Sequence, residues 1–176
     1  MVLKLKRFIL IALVIFAIPV AVLFALPQKL VVPVKGATSG DWNPDSFWHY
    51  PWGKSVVHKG IDIFAQKGTP VIAASEGLVW YSGEFARGGK VVIILGQKIR
   101  FHYYAHLNSI FVRKGQWVKR GQEIGSVGNT GNAAGKPPHL HYAIVAWFPH
   151  YWRRDTSMMG HLKMFYLDPG KELAGK

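Results

Sequence analysis

Beyond residue 26 the apolar residues come in short runs, rich in Val, Ile and aromatics and punctuated by glycine. No stretch there sustains a 3.6-residue period. The runs are Thr69-Pro-Val-Ile-Ala-Ala74, Gly77-Leu-Val-Trp-Tyr-Ser-Gly83, Lys90-Val-Val-Ile-Ile-Leu-Gly96, residues 99–106, Gly115-Gln-Trp-Val118, Glu123-Ile-Gly-Ser-Val-Gly128 and residues 139–147. β-Branched and aromatic side chains suit a pleated, half-buried surface, and glycine marks turns between several of the strands. The pattern predicts an all-β domain of packed antiparallel sheets. Residues 147–163 are aromatic and basic without a period and read as a loop. At 176 residues the chain is long enough for one domain with a sizeable core.

The N-terminus is of another kind. Lys4, Lys6 and Arg7 precede nineteen residues, 8–26, with no charged or polar side chain. As a helix at about 1.5 Å per residue they span roughly 28 Å, close to a bilayer core. We read residues 1–7 as a basic cytoplasmic tail, 8–26 as one transmembrane signal-anchor, 27–33 as a linker, 34–170 as the folded domain and 171–176 as a C-terminal tail. A cleaved signal peptide is the rival, but its apolar core is usually about 7–15 residues, and no small-x-small site follows here. With a seven-residue linker at 3.3–3.6 Å per residue the domain would reach only about 25 Å from the membrane.

The chain has no cysteine, so any metal must be held by His, Asp or Glu. The net charge is +13, and nineteen basic side chains against nine acidic ones follow residue 26, a net +10. That suits an anionic polymer or lipid. Nucleic acid is disfavoured as a partner, since there is no basic run of five and no nucleic-acid-binding motif.

The chemistry-bearing residues cluster in three places. In Pro138-His139-Leu140-His141, side chains two apart on a strand share a face, so His139 and His141 project together. His58-Lys59-Gly60-Ile61-Asp62 offers an imidazole and a carboxylate four apart, with Gly60, Ile61 and Ile63 favouring a strand. Alternation over residues 100–106 groups Arg100, His102, Tyr104 and His106 on one face and Phe101, Tyr103 and Ala105 on the other. With the second face in the core, the first is a polar strip carrying two imidazoles. His49, His150 and His161 have no partner at ligand spacing. The run Gly125 to Gly131 lacks the Lys-Ser/Thr ending of a phosphate loop and reads as a turn that lets the backbone approach the site.

Taken together, His58-Lys-Gly-Ile-Asp62, Gly68-Thr-Pro-Val71, Tyr104-Ala-His106, Gly115-Gln-x-Val118-x-x-Gly121-Gln-x-Ile124-Gly125-x-Val127-Gly-x-Thr130-Gly131 and Pro138-His-Leu-His141-Tyr resemble the lysostaphin/LytM zinc endopeptidases, in the family's order. The resemblance runs from about Gly36 to Ile144, with an echo at Tyr166-Leu-Asp-Pro169. It implies a LytM-like β-sandwich and hydrolysis of peptide bonds in bacterial peptidoglycan, in cross-links or stem peptides. It implies one zinc held by His58, Asp62 and His141, with His106 and His139 catalytic. Together with the anchor read from residues 8–26, it points to a single-pass protein of the bacterial inner membrane whose domain works in the periplasm or cell-wall space. Two departures stand out. Thr38-Ser-Gly-Asp-Trp-Asn-Pro44 replaces the family's Phe-Gly-x-Arg turn, and Ala143 stands where Glu often follows the last His.

The chemistry also follows from residue types alone. Two neutral imidazoles and a carboxylate leave zinc a net charge and an open position for water, whose pKa falls from about 15.7 to about 7. No Glu adjoins a ligand, so a non-ligand His is the natural base. His106 and His139 remain, one to take the proton and one to support the oxyanion, in either assignment. Two other readings compete: a catalytically silent activator of another wall hydrolase on the same fold, and a basic, Trp-rich module that binds an anionic polymer.

Overall fold

The computed structural model describes residues 6–8, 14–15, 18 and 28–174. No helix among them is long and apolar enough to cross a membrane, and the expected anchor over residues 8–26 lies almost wholly outside the described residues. The rest is built on antiparallel strands: β1 (Ile61–Phe64), β2 (Pro70–Ile72), β3 (Gly77–Phe85), β4 (Gly89–Gly96), β5 (Arg100–Leu107), β6 (Ser109–Ile110), β7 (Trp117–Val118), β8 (Glu123–Ser126), β9 (His139–Ala146) and β10 (Tyr166–Leu167). A large sheet runs β1-β9-β5-β4-β3-β7, with β10 pairing the far half of β9. A small sheet runs β2-β8-β6.

One buried cluster joins the two sheets, with Ile61, Val92, Ile94, Tyr104, Tyr142 and Ile144 from the large one and Val71 and Ile124 from the small one. Fully burying an Ile side chain stabilises by about 1.5–3 kcal/mol, so these alternating positions set the register of every strand. The other face of the large sheet is the floor of a cleft. Phe101, Tyr103 and Ala105 of β5 and His139, His141, Ala143 and Val145 of β9 all line it. The alternation of β5 therefore holds, but its sense is reversed from the expectation. His102 and Tyr104 face the core and are fully buried, and the Phe101 row is the one that faces the cleft.

Two boundaries shift. Residues 28–33 do not form a free linker. Leu30 is buried, Val31 N donates to Ala74 O at 3.0 Å, and Ile72 N donates to Pro33 O at 2.9 Å, so this stretch packs along β2. Unpaired strand-edge groups there take the neighbouring chain as a partner. Of the expected tail at 171–176, the described residues 171–174 are likewise drawn in. A short helix, Pro169–Ala174, buries Leu173 in the core, and Glu172 Oε2 accepts from Arg100 Nη1 at 2.9 Å. Residues 147–163 are irregular as expected, with one short 3₁₀ turn at Tyr151–Arg153 and the next beginning at Gly160.

Candidate metal centre and cleft

Three strands bring the five singled-out residues together. β1 pairs β9 with Asp62 opposite His141, and β9 pairs β5 with His141 opposite Ala105. Gly60, just before β1, lies under the His141 ring. A Cβ there would sit 2.4 Å from Tyr142 O and 3.0 Å from His141 Nε2. Only a residue without a side chain lets the two strands approach this closely.

The donor atoms of His58, Asp62 and His141 converge. Asp62 Oδ1 lies 3.1 Å from His58 Nε2 and 2.8 Å from His141 Nδ1, and the two ring nitrogens are 3.1 Å apart. Tetrahedral zinc with ligands at about 2.0–2.1 Å holds its donors about 3.3 Å apart. The spacing and the N/N/O donor set both fit such an ion. Among the described residues this is the one group of three or more such side chains that could hold a metal.

Backbone carbonyls fix the ring orientations. A carbonyl only accepts, so His58 Nδ1–H donates to Ser46 O at 2.9 Å and leaves Nε2 as its free lone pair toward Asp62. His106 Nδ1–H donates to Thr130 O at 2.9 Å, and His139 Nδ1–H donates to Pro137 O at 2.8 Å. In the neutral ring this puts the lone pair of each on Nε2. His141 differs, since its Nδ1 is the atom that meets Asp62.

His106 and His139 stand beside the donor group. Their rings are 5.1 Å apart, and His139 Nε2 is 4.0 Å from Asp62 Oδ2. His106 reaches the cleft through a backbone device. Between Val92↔Tyr104 and Lys90↔Leu107, β5 holds one residue more than β4. This bulge contains His106 at φ 64, in the left-handed region. The extra residue resets the alternation and swings His106 out of the face that buries His102 and into the cleft.

Electrostatics follow from this packing. Burial alone would raise the pKa of Asp62, but hydrogen bonds from His141 and His58 outweigh it and hold the carboxyl well below the usual range. Burial, then repulsion from His141 and His139, pushes His106 down to about 4, so it is neutral at physiological pH. Burial lowers His141 as well, against the pull of Asp62.

The cleft has a volume of about 830 Å³. Some of its residues escaped the sequence reading. Trp52 stacks on His58 with ring centroids 4.1 Å apart and planes at 22°. Tyr103 stands edge-on to His141 at 6.1 Å, and burial pushes its hydroxyl up to about 12, so it remains a donor. Phe64 packs on His139 at 5.4 Å. The alternation of β1 places Phe64 beside Asp62 and could have found it; no spacing pointed to Trp52. Lys59, Arg87 and Lys136 make the rim basic. His102 is the histidine that the strand reading misplaced. It donates to, or accepts from, Tyr142 Oη at 2.7 Å within the core.

Fold and site together define an all-β domain bearing the donor set of a metallopeptidase. The chain belongs to Peptidase family M23, whose sequence pattern matches residues 56–150. It is similar to the Peptidoglycan DD-endopeptidase ShyA of Vibrio cholerae, with 34% identity over 148 residues, 84% of this chain and 33% of that protein. It is also similar to the Murein hydrolase activator NlpD of Escherichia coli, with 36% identity over 111 residues, 57% of this chain and 28% of that protein. Its fold resembles the catalytic domain of lysostaphin from Staphylococcus simulans, with a TM-score of 0.61 and 28% identity over 77% of this chain and 95% of that one. The chain thus spans about a third of the length of the curated relatives it matches.

Proposed function

We propose that the chain is a zinc-dependent endopeptidase that hydrolyses peptide bonds in peptidoglycan, held at the outer face of the cytoplasmic membrane by residues 8–26. The observation that carries this reading is the complete constellation: His58 Nε2, Asp62 Oδ1 and His141 Nδ1 converge, with the free Nε2 atoms of His106 and His139 alongside. A ShyA-like substrate also suits the site, since the basic rim of Lys59, Arg87 and Lys136 matches a wall peptide rich in carboxylates.

In this reading His58, Asp62 and His141 hold the metal. Zinc there would supply Lewis acidity to a water molecule and to the scissile carbonyl. His106 and His139 divide the proton traffic. Each has its Nδ1–H tied to a carbonyl, so each would meet the substrate through Nε2. One takes a proton from the attacking water, and the same atom, now charged, can pass it to the leaving amine. The other would support the oxyanion through a proton taken from solvent onto its Nε2. Trp52 keeps His58 from swinging, and Tyr103 offers a hydroxyl proton on the cleft floor.

The NlpD relative favours a second reading, in which the domain activates another wall hydrolase. One experiment separates the two. The purified protein and its alanine variants are assayed for zinc content and for release of fragments from purified wall. His58→Ala, Asp62→Ala and His141→Ala should lose zinc and hydrolysis together. His106→Ala and His139→Ala should keep zinc and lose about 10²-fold or more in rate. His161→Ala, exposed and remote, is the control. A wild-type protein that takes up no zinc and releases nothing, yet stimulates a second hydrolase, would establish the activator instead.

A further inference from the structure

The face of the domain around Gln28 combines basic and exposed aromatic side chains, and the cleft uses none of the basic ones. Arg100 Nη1 donates to Gln28 Oε1 at 2.8 Å, and Arg120 Nη1 donates to Lys29 O at 3.3 Å. The chain therefore leaves the fold between two guanidinium groups, two residues after the apolar run 8–26 ends. Trp147 N donates to Ile99 O at 3.2 Å, which ties the loop after β9 to the same corner. His150 lies close enough to Arg100, Arg153 and Lys98 for their charges to push its pKa down, after burial, against Glu172. The His150 and Trp152 rings are 5.0 Å apart. Trp152 is 79% exposed, Tyr151 65% and Trp147 54%. Two acids lie near this corner: Glu172 is bonded to Arg100 and its charge also reaches Lys98, and Glu76 accepts from the neutral Gln97 amide.

Indole and phenol rings settle at the headgroup level of a bilayer, and Lys and Arg beside them are drawn to anionic lipid. We infer that this corner, formed by Lys98, Ile99, Trp147, Tyr151, Trp152 and Arg153, rests on the surface of an anionic phospholipid bilayer. The inference rests on the reading of residues 8–26 as an anchor, which delivers this corner to the lipid. It adds an orientation. From Arg100, at the lipid end of β5, to Ala105, opposite His141, is five residues. At about 3.3 Å each, the metal centre stands about 17 Å from that end.

The absence of cysteine makes a site-specific test direct. Full-length Tyr151→Cys and Glu84→Cys each carry one environment-sensitive fluorophore. Glu84 is exposed near the β3–β4 turn, at the opposite end of the sheet. The proteins are reconstituted into phosphatidylcholine vesicles with and without phosphatidylglycerol, containing lipid brominated near the headgroup. In the anionic vesicles the label at 151 should be quenched at least about twofold more than the label at 84. That excess should shrink in about 1 M salt, where the screening length is about 3 Å, and in the chain that also carries Lys98→Glu and Arg153→Glu. Flotation with the vesicles is scored in parallel. Protein that floats but shows equal quenching at 151 and 84 overturns this inference alone and leaves the patch to another partner. Protein that does not float overturns the anchor reading and this inference with it.

Discussion

Gly60→Ala tests whether the metal centre depends on the close approach of β1 to β9. The new Cβ would lie 2.4 Å from Tyr142 O and 3.0 Å from His141 Cε1 and Nε2, where ordinary contact begins near 3.4 Å. The first of these atoms is backbone, paired in the ladder through Ile61↔Tyr142, so no side chain can turn aside to relieve it. The strands must part by on the order of 1 Å, an overpacking that costs about 1–3 kcal/mol. For a domain of this size that lowers the melting temperature by roughly 2–12 °C. The same displacement separates His58 and Asp62 on one side from His141 on the other, and a disturbed ligand support typically costs about 10–100-fold in metal affinity. Thermal melts with and without zinc, and a competition titration against a chromophoric chelator, read the two effects. Gly40→Ala is the control, since its Cβ would meet only Thr38 Oγ1 at 3.7 Å. A Gly60→Ala protein that melts and holds zinc like the wild type would refute the argument. Lower stability with unchanged zinc affinity would refute the coupling between strand spacing and ligand geometry.

Two further perturbations address the core. Burial, aided by Arg100, pushes His102 down to about 3 from an ordinary 6.5, so below pH 6.5 the unfolded chain binds a proton that the folded one refuses. Its contribution to stability is intact above pH 6.5 and is lost as pH falls toward 3, at up to about 1.4 kcal/mol per pH unit. Urea unfolding of the wild type and His102→Gln between pH 7 and pH 4.5 should show a shallower pH slope in the variant, and parallel slopes would refute this. Tyr104→Phe removes the acceptor of the buried Ala74 N–H, 2.9 Å away, and should cost about 1–3 kcal/mol in the same assay at any pH while zinc content stays constant.

The site was more legible in the sequence than the surfaces that hold it. His139 and His141 share a face because the period of a strand is two, and that rule needs no tertiary information. Asp62 joins them because β1 carries β-branched residues on its buried face and so pairs with its polar face toward the cleft. The same rule failed one strand away. It grouped His102 with His106, but a bulge with a left-handed histidine leaves no mark in the sequence, and the structure turns His102 into the core and His106 toward the cleft. Trp52 reaches His58 through an irregular loop that obeys no period. The packing of residues 28–33 was hidden because a strand edge, not their own composition, gives them a partner. The helix Pro169–Ala174 is too short to show a period at all.

The left-handed conformation of His106 has a consequence for how such a domain ages under selection. Glycine occupies that region freely, whereas a residue with a side chain there costs about 1 kcal/mol or more. In the peptidase proposed above, hydrolysis would be what keeps an imidazole at this position. A descendant that gave up cutting would hold His106 only through its Nδ1–H bond to Thr130 O, set against the backbone strain that glycine would relieve. On that proposal, position 106 is where backbone strain is held in place by chemistry, and where a change of occupation would be expected to surface once the chemistry is given up.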